Sequence, residues 1–488
     1  MRRLATTRTV LARIPTAAWL CAIVAGLSAA CWSLITPAFQ APDEQDHYAY
    51  VALLAQTGRP PSSDDEVDEP EELAALVGLR YLQLRHQPRN HAIFTSAEQE
   101  GLERSLVAAR EDSSTPRIHG AGVAASEPPL YYALETIPYR LAGTVLGRLP
   151  LMRLLSALMA AVTALFSYLF VRETLPGWRW AWIVGGLGVA LAPLLGFVSG
   201  SVNPDALLFA LSAMLFYSLA RAFRRGLTTR LALLVGAIVA AGMATKLNFV
   251  GLLPGALFGL LALSVRAARV SGRSAYRSLA LACALAASPV AVYLIAGALS
   301  SDSPFGSVSH AFSGVRVSLG EIDYIWQLYL PRLPGTGSDF PGLFTTRQLW
   351  FDGYVGLYGW FDTTFPGWVY DAALIPAAAI AVLCVRELAA HLGALRARLA
   401  ELATYALMAG GLLVLIGIAS YAGFPARSAE FAEARYLLPL LPLLAAVLAL
   451  AARGAGRRWG PAAGALIVTL FLAHDVFSQL LVVSRFYG

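Results

Sequence analysis

The sequence predicts an all-α, polytopic transmembrane helical bundle with two long extracytoplasmic segments carrying amphipathic helices. Three observations support this. The 488 residues are 57% hydrophobic and only 14% charged, whereas a soluble domain carries about 25% charged residues. The mean hydropathy is +0.59. Apolar runs of about 20 residues, enough to cross the hydrocarbon of a bilayer, recur along the chain. Together these exclude an ordinary soluble enzyme, a nucleic-acid binder and a disordered protein. The net charge of +6 has meaning only when divided between the two sides of a membrane. Its basic residues are nearly all arginine, with Lys246 the sole lysine.

About eleven spans are expected, near 16–36, 149–171, 179–200, 204–222, 230–247, 248–265, 277–299, 372–386, 403–422, 436–452 and 461–482. The two on either side of Lys246 and Asn248 also read as one broken helix. Arginine-rich short loops stay cytoplasmic. The N-terminal arm holds Arg2, Arg3, Arg8 and Arg13. Every second loop after it is basic, as in Arg221/Arg224/Arg225/Arg230, Arg266/Arg269/Arg273/Arg277 and Arg453/Arg457/Arg458. This alternation places the N-terminus in the cytoplasm and the C-terminus outside, in a cytoplasmic (inner) membrane. The first apolar run is too long for a typical signal-peptide core and reads as a span. The four cysteines lie in apolar runs without metal-ligand spacing and read as buried thiols.

The outer segments 37–148 and 300–371 are long, and long loops tend to be functional or disordered. Helices are expected over 44–56, 96–110 and 129–142, the last with Tyr131, Tyr132, Leu134 and Ile137 along the bilayer surface. The acidic run from Asp64 to Glu72 reads as a solvated, mobile tip. The short cytoplasmic loops leave no room for a nucleotide-binding domain. Chemistry is therefore expected outside, where nucleotide-activated sugars and ATP are absent and an activated substrate arrives through the membrane.

Several constellations could carry that chemistry. Asp43, Glu44 and His47 directly follow the first span. They read as a general base with its support, as ligands of a divalent cation, or as a helix N-cap. Glu127-Pro128-Pro129 precedes Tyr131 and reads as a turn or a substrate contact. Asn203-Pro204-Asp205 opens the fourth span as a capping set whose end can face a cavity. Lys246 sits in an apolar setting, where it either snorkels or meets a phosphate. Arg435 and Tyr436 open the tenth span, with Arg427 eight residues earlier. An arginine there forks onto phosphate or anchors to lipid headgroups. His474-Asp475 reads as a structural hydrogen bond to a neighbouring helix. The second long segment is rich in aromatics, from Tyr324 to Tyr370, which read mainly as an interfacial belt, with Gly353, Gly356, Gly359 and Gly367 permitting a lid.

In order, PDEQDHYAY (42–50), EPPLYYAL (127–134), SVNPDALL (201–208), GLYGWFD (356–362) and ARYLLPLLPLL (434–444) resemble the GT-C membrane glycosyltransferases. Within them the chain is most similar to a bacterial family of polytopic membrane proteins long listed as uncharacterised. The resemblance spans almost the whole chain and implies a single GT-C-like membrane domain over 1–488. It implies a polyprenyl-phosphate sugar donor, an acceptor hydroxyl on a glycan, lipid or protein, and transfer at the outer face with inversion. It matches Asp43 to the catalytic base, with Glu44 beside it, and Arg435 to the donor phosphate. Around these, Lys246, Arg427, Tyr436, Asn203, Asp205 and Tyr131 are candidate substrate contacts. A divalent cation on Asp43, Glu44 and His47 stays open. The alternative is a transporter or flippase of lipid-linked precursors, a class that also uses many spans and broken helices.

Overall fold

The computed structural model describes residues 14–62, 65–111, 117–120, 122–272, 274–299, 319–330, 345–427 and 432–488. Among these, nine helices are long and apolar enough to cross a membrane. A tenth span is a helix pair bent by 50°, α7 (Arg179–Ala190) and α8 (Pro193–Ser199). Pro193 opens the second half, because proline lacks the N–H that would continue the first. The short apolar helix α10 (Thr229–Met243) stands at the remaining expected span. Between it and α11 (Leu253–Ser271) the chain breaks: Lys246 is extended and Leu247–Leu252 form a 3₁₀ turn.

The bundle is organised around α6 (Val145–Thr174), which packs against α1 (Thr16–Ile35), α7 and α9 (Asp205–Arg225). Thr144 caps α6 by accepting the N–H of Gly147. The remaining spanning helices are α12 (Ser274–Leu299), α14 (Gly367–Ala390), α15 (Leu399–Arg427), α16 (Leu441–Gly454) and α17 (Gly456–Tyr487), with the shorter α13 (Leu319–Tyr329) between the first two. Asp475 of α17 accepts from Ser28 Oγ at 2.8 Å and Trp32 Nε1 at 3.0 Å, tying the last helix to the first as the sequence indicated. Of the cysteines, Cys21 and Cys384 are buried, but Cys31 faces outward.

Bundle association in a membrane relies on small residues that let backbones meet. Gly251, Gly255 and Gly259 form such a stripe, spaced four apart, against α15. A Cβ on Gly251 would stand 2.6 Å from Leu412 Cα, and one on Gly255 would strike the Met408 and Thr404 backbone.

The first long segment folds onto one end of the bundle. Helices α2 (Glu44–Thr57), α3 (Pro70–Gly78), α4 (Ser96–Glu111) and α5 (Leu130–Leu141) enclose a second apolar core. Two expectations are corrected here. The acidic run is not a solvated tip. Glu66–Asp68 pairs as a strand with Ile118–Gly120, and Glu69, Glu71 and Glu72 are buried. Arg117 and Arg148 supply counter-charge to Glu69, and Arg148 also to Glu71. Nor do the tyrosines of α5 lie on a bilayer surface. Tyr131 and Tyr132 are fully buried, because α5 packs between α2 and α6; Ile137 and Leu141 are its exposed large apolar residues. Much of the aromatic second segment is likewise interior. Tyr358 packs on Trp32 and Phe197, and Trp360 lies against Tyr81 under Arg85, leaving Trp368 among the few exposed rings.

One buried ion pair fixes where this segment meets the bundle. Arg153 of α6 grips Glu44 through Nε at 2.7 Å and Nη2 at 2.6 Å. Its other N–H groups donate to the carbonyls of Ser33, Thr36 and Pro37 at the exit of α1. Glu44 also accepts the N–H groups of Phe39 and Val202. All donors of the guanidinium fork are engaged.

Two outcomes follow from this packing. Gly255→Val is expected to lower the thermal transition of the detergent-purified chain sharply. Gly393→Ala, where nothing lies within 4 Å of an added Cβ, is expected to leave it unchanged. Glu44→Gln leaves a buried guanidinium without its charge partner, a loss of about 3–5 kcal/mol. The same thermal scan checks it, and an unaltered transition would mean that the pair does not hold the fold.

Candidate active site

Where the first segment, the chain before α9, the break before α11 and the 3₁₀ turn Ala434–Leu440 before α16 converge, they enclose a cavity of ≈ 900 Å³. Asp43, Asp46, His47, Glu127, Asn203, Lys246, Glu433, Arg435 and Tyr436 line its polar side. Leu194, Phe197 and Val198 of α8, with Leu415, Ile418 and Ala419 of α15, form an apolar wall.

Asp43 stands at the start of α2 with φ 64° and ψ 7°, a left-handed conformation that aspartate tolerates better than most side chains. The N-cap reading does not hold, because its carboxylate makes no capping hydrogen bond. Instead Oδ2 faces Arg435 Nη2 at 3.3 Å. Burial acts to raise the Asp43 carboxyl, but Arg435 and Lys246 outweigh it and hold the group below its ordinary value. The other acids on the wall move the opposite way. Burial, then Asp43, raises Asp46 to about 6. Burial raises Glu433 to about 7 despite Arg435 beside it, and burial also raises Glu127 against the pull of Lys246. Burial lowers His47 to about 3, and its Nδ1 meets Tyr132 Oη at 2.9 Å.

The two cations are held in place from behind. Lys246 Nζ lies 2.9 Å from Asp205 and 3.6 Å from Glu127, and Arg435 Nε lies 2.6 Å from Glu433 and 3.8 Å from Asp205. The Tyr436 ring lies 5.8 Å from Lys246 Nζ and 5.4 Å from the Arg435 guanidinium carbon. Asn203 Oδ1 accepts the N–H of Asp205 at 2.9 Å, so this motif caps α9 and also faces the cavity.

The structure therefore gathers Asp43, His47, Asn203, Lys246, Arg435 and Tyr436 on one cavity. It sorts the other candidates differently. Glu44, adjacent to Asp43, points away and is consumed by Arg153, so it neither supports Asp43 directly nor joins it on a cation. Among the described residues no three His, Cys, Asp or Glu side chains are grouped to hold a metal, so the Asp43, Glu44 and His47 ligand set does not form. Asp205 lies behind the cations as their buried counter-charge and is not among the lining residues. Tyr131 bonds Ser156 in the interior and does not line the cavity. The Arg427 side chain lies outside the described residues. Sequence reasoning passed over Glu433 and Asp46. Glu433, two residues before Arg435, was the signal for an arginine with an attached counter-ion.

Two crystal structures of ArnT from Cupriavidus metallidurans, one apo and one bound to undecaprenyl phosphate, match with a TM-score of 0.41 each at 17% and 18% identity. Each match covers 78% of this chain, which spans 58% of the length of ArnT. No curated protein matches the chain. The family of predicted membrane proteins DUF2142 matches residues 26–444, and the chain belongs to that family.

Proposed function

We propose that the protein is an inverting membrane glycosyltransferase. It moves a sugar from a polyprenyl-phosphate donor to an acceptor hydroxyl on the extracytoplasmic face of a bacterial inner membrane. A single observation carries this reading: one cavity unites an ionised carboxylate, two cations and an apolar wall drawn from spanning helices. The wall suits a lipid chain, the cations suit a phosphate, and the carboxylate suits the proton of an attacking hydroxyl.

In this mechanism Asp43 accepts the proton of the acceptor hydroxyl as that oxygen bonds to the anomeric carbon. The bond from that carbon to the phosphate oxygen breaks in the same step, and polyprenyl phosphate leaves with the electron pair. Arg435 and Lys246 stabilise the charge that develops on it. Phosphate is a competent leaving group, so no acid is required. Displacement from one face inverts the anomeric centre. Environments that push neighbouring carboxyls apart assign their roles: Asp43 is held ionised while Asp46, Glu127 and Glu433 are pushed towards their neutral forms. A transporter fits less well. Transporter sites lie near the bilayer midplane, and here Asp43, Asp46, His47 and Glu127 of the long segment between the first two spans line the cavity.

Asp43→Asn is expected to reduce transfer by about 10²–10⁴-fold with an unchanged thermal transition, in contrast to Glu44→Gln. Mass spectrometry of envelope glycans in a deletion strain, complemented with either form at equal level, reads this out. Full restoration by Asp43→Asn would remove Asp43 from the role of base. The Glu433 carboxyl gives a pH test. Below about 7 it is neutral and leaves the Arg435 charge to the phosphate; above that it competes. The donor KM is therefore expected to fall several-fold between about pH 8 and about pH 6. Asp43, Asp205 and Lys246 face the same guanidinium or its partners, so the comparison is made with Glu433→Gln. In that variant KM should be low at both ends of the window and lose the part of the slope owed to Glu433, while Asp46 and Glu127, which line the same cavity and are also raised, keep theirs; a slope equal to that of the wild type would reject the competition.

A further inference from the structure

A second cavity, of ≈ 480 Å³, lies at the opposite end of the bundle. The same helices reach both. Helix α9 begins just behind the first cavity, two residues after the lining Asn203, and ends at the second with Arg224. Helix α11 likewise follows Asn248 and carries Arg266 and Arg269, while α15 runs from Arg398 and Glu401 at the second cavity to Ala419 at the first. The rise along α9 puts the two about 30 Å apart, one hydrocarbon thickness.

Four arginines line this cavity, Arg224, Arg266, Arg269 and Arg398, with two acids, Glu173 and Glu401. Both acids are already engaged. Glu173 is buried and pairs with Arg224 and Arg225. Glu401 is buried and holds Arg398 by two hydrogen bonds of 2.7 and 2.8 Å, while Arg398 also donates to the Thr174 carbonyl. Arg266 and Arg269 are exposed and, among the described residues, have no ion pair. Their spacing of three puts two like charges on one helix face, an arrangement that is mildly unfavourable by itself and that an anion between them would relieve. Arginine-rich loops on one side of a membrane explain the presence of these residues, but not a cavity built around them with its acids already neutralised. On the same helix Leu261 and Val265 are 51% and 41% exposed, an apolar surface running away from the arginines towards the lipid.

We infer that this cavity binds the phosphodiester headgroup of an anionic phospholipid, with Arg266 and Arg269 on the phosphate and the acyl chains along Leu261 and Val265. The recognising chemistry is a phosphate attached to an apolar tail. The inference is independent of the reaction proposed for the other cavity, and its test does not read transfer.

The full chain, purified in detergent, is titrated with dioleoylphosphatidylglycerol, dioleoylphosphatidylcholine or inorganic phosphate and read by native mass spectrometry. The phosphatidylglycerol is expected to bind in preference to the other two. Arg266→Gln with Arg269→Gln should weaken it by about tenfold or more. Arg457→Gln with Arg458→Gln removes the same charge from exposed positions that do not line the cavity and should leave binding unchanged. Equal binding of the zwitterionic lipid, or equal loss in both double variants, would reduce the effect to surface charge and overturn the site. Binding of inorganic phosphate as strong as that of the lipid would overturn the lipid assignment. The comparison of ligands on the unaltered chain needs no variant and stands even if a substitution perturbs folding.

Discussion

The geometry of the candidate site depends on one buried pair, Arg153 with Glu44. A charge pair this deep is expensive to desolvate, and it survives because every donor and lone pair has a partner. Arg153 closes the end of α1 by taking three carbonyls there, and Glu44 closes the start of α2 and the approach to α9 by taking two backbone N–H groups. Three chain segments are thereby locked at one point. The residue just before Glu44 has little freedom left, and it is Asp43 that takes the left-handed backbone conformation. The carboxylate that faces the cavity is thus oriented by its neighbour's engagement with a residue 109 positions away.

The charge balance of the cavity has a chemical consequence. Four carboxyl side chains line it beside two cations, which is unfavourable for an anionic substrate if every acid is ionised. Burial resolves this unevenly. Asp46, Glu127 and Glu433 shift towards protonation while Asp43 is kept charged. Under the proposed reaction, the cations already have weak internal partners in Glu127 and Glu433. These partners yield to a phosphate when it arrives and reclaim the cations when polyprenyl phosphate departs. Asp205 stays behind both cations throughout, and such exchange keeps the two buried charges from sharing that one carboxylate at either stage, a shortfall that is costly in a low-dielectric site.

Much of the bundle was readable in the sequence because hydropathy is a local property: a run such as 149–171 must be a buried or lipid-facing helix wherever it sits. Asp43, Lys246 and Arg435 were readable for a related reason, since a charge at the edge of an apolar run is costly without a purpose. What the sequence left open depended on distant partners. Asp43 and Glu44 are chemically similar neighbours, and only the position of Arg153 tells which one faces the cavity. The acidic stretch around Glu69 to Glu72 looked solvated because its counter-charges, Arg117 and Arg148, are far along the chain. Tyr131 and Tyr132 carried an interfacial signature, yet an aromatic ring suits a membrane edge and a protein core equally well.

The glycine stripe of Gly251, Gly255 and Gly259 bears on the chemistry as well as on stability. It lets α15 approach the 3₁₀ turn and α11 closely enough that the Gly251 site meets Leu412. Three to seven residues further along α15 stand Leu415, Ile418 and Ala419, the apolar wall of the cavity; immediately before the 3₁₀ turn stands Lys246. The distance between the lipid-like wall and the cation is therefore set by backbone contact, which is stiff, rather than by side chains that can repack. Under the proposed reaction this matters, because a lipid phosphate has its charged and apolar parts covalently joined, and a site for it must fix the separation of its own two parts equally well. Close helix packing below the cavity supplies that fixed separation, and polar ties above it, through Asp205 and Glu433, then have only to orient the cations.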